Sequence, residues 1–163
     1  MLRLGIAAVV KLLASSTAST LNAQSAEGCS ALYLAAEEGA EPIVQLLLTH
    51  GADAALADSD GGTALMRASG FGHEQVTRAL LEAGAVVGAQ DNDGWTALML
   101  AARNGHEQVA RVLLEAGAVV GAQDNAGWTT LMLAAHNGHD HRASRRSIRG
   151  WTDLDRDETG WVD

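Results

Sequence analysis

The sequence predicts an all-α solenoid of helix-turn-helix units joined by β-turn or hairpin loops, with about three full repeats and a partial repeat at each end. Three observations carry this prediction. Shifting the chain by 33 residues lays residues 72–99, GHEQVTRALLEAGAVVGAQDNDGWTALM, on residues 105–132, GHEQVARVLLEAGAVVGAQDNAGWTTLM, with four differences: Thr77/Ala110, Ala79/Val112, Asp93/Ala126 and Ala97/Thr130. Within each copy, apolar residues recur at helical spacing. Glycines and an Asp-Asn cluster punctuate the pattern at the same step, where a chain must turn.

The period extends backward through GGTALMRASGFG at Gly61 and GCSALYLAAEEG at Gly28, so the full units are 28–60, 61–93 and 94–126. In each unit Thr63 or Thr96 stands where a side-chain oxygen caps a first helix, whose small residues (Leu98 to Ala102 in the third unit) permit close helix approach. That helix stops at Gly72 or Gly105. The second helix carries a stripe at Val76, Ala79, Leu80 and Ala83, repeated at Val109, Val112, Leu113 and Ala116. Glu74 and Glu107 sit near its amino end, each four residues before an arginine, Arg78 or Arg111, in the favourable ion-pair orientation. Gly84 and Gly117 end it in the left-handed conformation, and Asp91-Asn92-Asp93-Gly94 is a tight turn of residues that tolerate positive φ. Helices this short gain stability only when a neighbour covers the apolar stripe.

The amino terminus has two readings. MLRLGIAAVVKLLASSTASTLNAQ resembles a secretory signal, with a basic residue, an apolar run and small residues ending Leu21-Asn22-Ala23. Lys11 interrupts that run, and GIAAVVKLL aligns with GHEQVARVLL, so residues 1–27 read better as the second half of a repeat. The carboxy terminus breaks the pattern. A fourth unit starts at Gly127, yet its second-helix stripe would fall on Arg142, Arg145, Arg146 and Arg149, and four guanidinium groups cannot be buried unpaired. Residues 127–141 are therefore a partial repeat and 142–163 a disordered tail, in preference to a basic partner-binding helix.

Composition narrows the function classes. A formal net charge of −9 opposes general attraction to nucleic acid or an anionic membrane and suits a basic or neutral protein partner. The single cysteine, Cys29, allows neither an intramolecular disulfide nor a thiolate zinc set, which points to the cytoplasm or nucleus. No apolar run reaches the roughly 18 residues of a membrane span.

Catalytic and metal chemistry are not expected. His73-Glu74 and His106-Glu107 begin a zinc motif whose second histidine is replaced by Thr77 or Ala110. His136, His139 and His141 form a looser cluster, and two of the three match turn or surface positions of earlier units. Asp153, Asp155 and Asp157 imitate a calcium loop, but Glu158 stands where the turn needs glycine. Phosphate-loop, dinucleotide and nucleophile-elbow motifs are absent, so the reading is a noncatalytic protein with no cofactor and no metal.

With this period, the Thr-Ala-Leu-Met segments at 63–66 and 96–99, Ala-Ala-Arg-Asn-Gly-His at 101–106 and Leu-Leu-Glu-Ala-Gly-Ala at 80–85 and 113–118, the chain resembles the ankyrin-repeat family over residues 28–139. It departs from that family's Thr-Pro-Leu-His signature, with Ala64, Ala97 and Thr130 in the proline position and Tyr33, Met66, Met99 and Met132 in the histidine position. The resemblance implies a protein-protein interaction module or scaffold that binds through a concave face. Carried over by position, the contact residues are Ser59, Asp60 and Gly62, then Asn92, Asp93 and Trp95, then Asn125, Ala126 and Trp128 at the turn tips. The first helices add Glu37, Glu38, Phe71, Arg103, Asn104, His136 and Asn137. Trp95, Trp128 and Phe71 stand out as anchors, although a tryptophan at such a tip also has a packing role against the next unit. Alternatives are a fragment of a larger kinase, channel or ubiquitin ligase, and a secreted effector. Uncovered apolar ends of the stack also imply weak end-to-end self-association.

Overall fold

Ser30, Thr63 and Thr96 each take an extended backbone and accept a hydrogen bond on the side-chain oxygen from the backbone N–H three residues ahead. This is the geometry of a helix N-cap, and it starts the first helix of each unit. The computed structural model describes residues 18–136. Its helices in chain order are α1 (Ala18–Leu21), α2 (Ala31–Glu37), α3 (Glu41–Thr49), α4 (Ala64–Gly70), α5 (Glu74–Glu82), α6 (Ala97–Arg103), α7 (Glu107–Glu115) and α8 (Thr130–His136). The expected all-α repeat stack is what forms. Isolated bridges join Gln24 to Ser30, Ala57 to Thr63 and Gln123 to Thr129 across the turns. Residues 1–17, the 142–149 arginines and the expected tail lie outside the described residues.

The first helices α2, α4, α6 and α8 pack side by side, the second helices α3, α5 and α7 form a parallel layer, and α2, α4 and α6 also pack on the second helices of their own units, α3, α5 and α7. Between the layers lie Leu32, Val44, Leu65, Val76, Leu80, Leu98, Val109 and Leu113, all fully buried. Every second helix begins with a glutamate at its positive end, and Pro42 sits in the first turn of α3, where the missing N–H is not needed. The expected ion pairs form at 3.1 Å for Arg78–Glu74 and 3.0 Å for Arg111–Glu107. Both are exposed and contribute only about 0.3–0.5 kcal/mol each.

Two details correct the sequence reading. Ala83 and Ala116 do not join the buried stripe; each is the C-cap of its helix and is exposed. The second helices instead bury Thr77 and Ala110, and the Thr77 hydroxyl donates to the His73 carbonyl at 2.9 Å, so burial leaves it satisfied. In the Asp-Asn turns only glycine takes positive φ, with Gly94 at 84°, while Asp91, Asn92 and Asp93 do not. A Cβ on Gly94 would also lie 2.9 Å from the Asn125 nitrogen of the next turn, so close stacking and backbone conformation both demand glycine there.

Copied residues make the same bond at each joint. Asn92 and Asn125 each donate twice to the preceding unit: their backbone N–H groups to the carbonyls of Asp60 and Asp93 at 2.8 and 2.9 Å, and their side-chain amides to the carbonyls of Ser59 and Asn92 at 3.2 and 2.9 Å. Gln24 and Gln90 reach the carbonyls of Ala57 and Gln123, each 33 residues ahead. His73 Nε2 and His106 Nε2 lie 2.8 and 3.0 Å from the carbonyl oxygens of Glu37 and Gly70; a carbonyl only accepts, so each ring carries its proton on Nε2.

Ser69 breaks this economy. Its hydroxyl is fully buried in α4 with no hydrogen-bond partner, at a position that holds Ala36 and Ala102 in neighbouring units. Ser69→Ala is therefore expected to raise stability by about 1 kcal/mol, because it removes an unpaid desolvation cost and improves helix propensity. A urea midpoint equal to or below that of the unmodified chain would refute this.

Candidate partner-binding surface

The turn tips are built by aspartates that fold back on the chain. Asp91 Oδ1 accepts the N–H of Trp95 at 2.8 Å and of Asp93 at 3.0 Å; Asp124 Oδ1 does the same for Trp128 and Ala126 at 2.8 and 2.9 Å. Such side-chain-to-backbone bonds pin a turn without a helix or strand around it. They fix where each tryptophan leaves the backbone. Trp95 and Trp128 are both half-buried, at identical positions in adjacent units.

Each indole is braced by the end of its own unit's first helix. The Arg103 guanidinium lies 5.0 Å from the Trp95 ring centroid, a cation–π arrangement. The His136 ring meets Trp128 edge-on, with centroids 5.2 Å apart. Phe71 caps α4 and is 53% exposed, its ring nearly parallel to that of His73 at 6.3 Å. Asn104 is exposed and donates its amide to the Gly70 carbonyl at 2.7 Å.

The remaining expected residues divide by exposure. Ser59, Asp60, Asn92, Asp93, Asn125 and Ala126 are exposed along the tips, and Glu38 is exposed at the end of α2. Glu37 is half-buried. Gly62 is buried, and its N–H is held by Asp58 at 2.7 Å. Asn137 lies outside the described residues, as do His139 and His141. No group of three His, Cys, Asp or Glu side chains among the described residues is arranged to hold a metal ion.

Sequence reasoning missed a polar cluster beside this surface. Tyr33 donates its hydroxyl to Asp58 Oδ2 at 2.6 Å and accepts from Arg67 Nε, while Arg67 Nη2 lies 3.6 Å from the same carboxylate. The guanidinium also stacks 5.1 Å from the Tyr33 ring centroid. Burial, followed by the bond to Asp58, pushes the Tyr33 phenol well above its usual range, so it remains a donor. Burial alone would raise the Asp58 carboxyl, but the bonds from Tyr33, Gly62 and Asp60 and the Arg67 charge hold it below the usual carboxylate value. Arg67 is raised: burial opposes its charge, and Tyr33, Glu37 and Asp58 more than offset that. The available signal was Tyr33 alone occupying a position that is methionine in the other units.

The 33-residue step, the paired helices and the same-position bonds across joints agree with comparison to known families. A family model described as ankyrin repeats, in three copies, matches residues 2–91 and 83–143. The chain belongs to the ankyrin-repeat family. Ankyrin repeats are in general protein-protein interaction modules and typically noncatalytic. A search of curated proteins returned no match. No helix among the described residues of this ankyrin-repeat chain is long and apolar enough to cross a membrane.

Proposed function

We propose that this ankyrin-repeat protein is a noncatalytic binding module that grips a protein partner along its turn tips and first-helix ends, with Trp95 and Trp128 as anchors. One observation carries the reading: two half-buried indoles recur at the same place in adjacent units, each pinned at the backbone by an aspartate and braced on one side by Arg103 or His136. A rigid, half-exposed aromatic is the type of residue that supplies binding energy at interfaces at little entropic cost. Phe71 adds an exposed apolar group, and Asn104 and Glu38 add polar ones.

Charge selects the partner. Residues 18–136 contain fourteen carboxylate side chains, four arginines and no lysine, so the partner surface is neutral or basic. The family match from residue 2 onward supports reading residues 1–27 as the second half of a repeat, and with the single thiol it favours a cytoplasmic or nuclear setting.

The test is a pull-down from native lysate with the intact chain and with a Trp95→Ala, Trp128→Ala double variant, after circular dichroism shows both to be equally helical. Partners held by the intact chain are expected to be lost by the variant, since anchor truncation costs about 2 kcal/mol or more per residue. Capture of the same proteins by both would reject the tryptophans as anchors.

A further inference from the structure

The four first helices share one sequence pattern, but their burial differs at the two ends of the row. On α4 and α6 the residue after the threonine cap is buried, Ala64 at 2% and Ala97 at 1% exposed; the equivalent Ala31 of α2 is exposed, and Leu34, one turn on, is 51% exposed. These positions look toward the preceding unit. The opposite face changes at the other end: Leu98 and Met99 of α6 are 1% and 0% exposed, whereas Leu131 and Met132 of α8 are 40% and 53% exposed. Those positions look toward the following unit.

The joint between the first two units shows how the faces meet. Tyr33, at the Met132 position of its unit, contacts Arg67, at the Leu34 position of the next. By the 33-residue step, Met66 is placed toward Leu100 and Met99 toward Leu133. Among the described residues, the two ends of the row thus carry the two halves of that joint, Met132 on one and Leu34 on the other, and both halves are exposed and apolar.

We propose that copies of this chain associate head to tail, with the α8 face of one copy, Leu131 and Met132, seated on the α2 face of the next, Ala31 and Leu34. The contact continues the interface that already joins α6 to α8 within one chain. The two surfaces are different, so the contact is heterologous and does not close a ring by itself. A joint of one helix from each side is weak and appears only with rising concentration. This inference does not depend on Trp95 or Trp128.

Sedimentation velocity on the full chain from about 1 μM to about 1 mM reads it directly. The average mass is expected to rise with concentration, and Met132→Glu and Leu34→Glu to weaken self-association at least about tenfold each. Mixed together, the two variants should form a 1:1 dimer and nothing larger, because each retains one competent end. If either glutamate lowers helicity, Met132→Ser and Leu34→Ser replace it. A chain that stays monomeric at the highest concentration overturns the proposal, as does a variant that associates like the parent, or a mixture that yields no dimer.

Discussion

Leu98→Ala is expected to destabilise the stack by about 2–5 kcal/mol, while Leu131→Ala, the same change one period later, costs only about 1 kcal/mol. The two leucines occupy the same place in the unit. Leu98 is 1% exposed on α6, a helix that packs on both α7 and α8, so truncation removes buried methyl groups and leaves a cavity that the surroundings close only in part. Leu131 is 40% exposed, has less apolar area to lose, and opens no closed cavity. Urea unfolding followed by circular dichroism compares the pair. A Leu98→Ala chain whose joint to α8 is uncoupled should also show a shallower transition, because in a repeat stack each unit is held chiefly by its neighbours. Equal losses at the two sites would contradict the burial difference and with it the docking of α8 on α6.

Asp58→Ala is expected to cost about 3 kcal/mol at neutral pH, with a penalty that shrinks in acid. The substitution removes one acceptor from the Tyr33 hydroxyl, from the N–H groups of Gly62 and Asp60, and from the Arg67 guanidinium. The Gly62 amide is buried and finds no replacement in water. The sign of the pH dependence follows from the lowered carboxyl of the folded chain. In the unfolded chain Asp58 titrates near the ordinary value of about 3.9, so its stabilisation is complete above that pH and is lost as pH falls through the lower folded value. Urea midpoints of the parent and variant measured from about pH 7 down to about pH 3 should therefore converge in acid. A gap that stays constant over that window would show that the carboxylate charge does not hold this joint.

Much of the fold was legible because it depends on local chemistry repeated at fixed intervals. The threonine caps, the terminating glycines at 84 and 117 and the Glu74–Arg78 pair need only residues within one turn of each other, and all form as the sequence predicts. The exposure of Ala83 and Ala116 was not legible from periodicity. A helical stripe assigns faces but not the residue at which the helix ends, and both alanines fall one residue past that end. The Tyr33–Asp58–Arg67 cluster was hidden for another reason: its members are 25 and 34 residues apart, and only the stacking of two units brings them together. The tips themselves were readable as turns, but the bracing of Trp95 by Arg103 required knowing that the indole folds back over its own helix.

The joints also determine which part of the gene can change in copy number. Excising residues 94–126 would place Met66 against Leu133, where Met99 stood, and Asp91 would accept the amide of Trp128 as it now accepts that of Trp95. Both of these contacts would find their own kind at the seam. Excising residues 61–93 would bring Tyr33 against Leu100 and strip Asp58 of its guanidinium. At these contacts the third block can therefore be added or deleted without mismatch, whereas the second is bound to the first by a pairing that the third block does not supply.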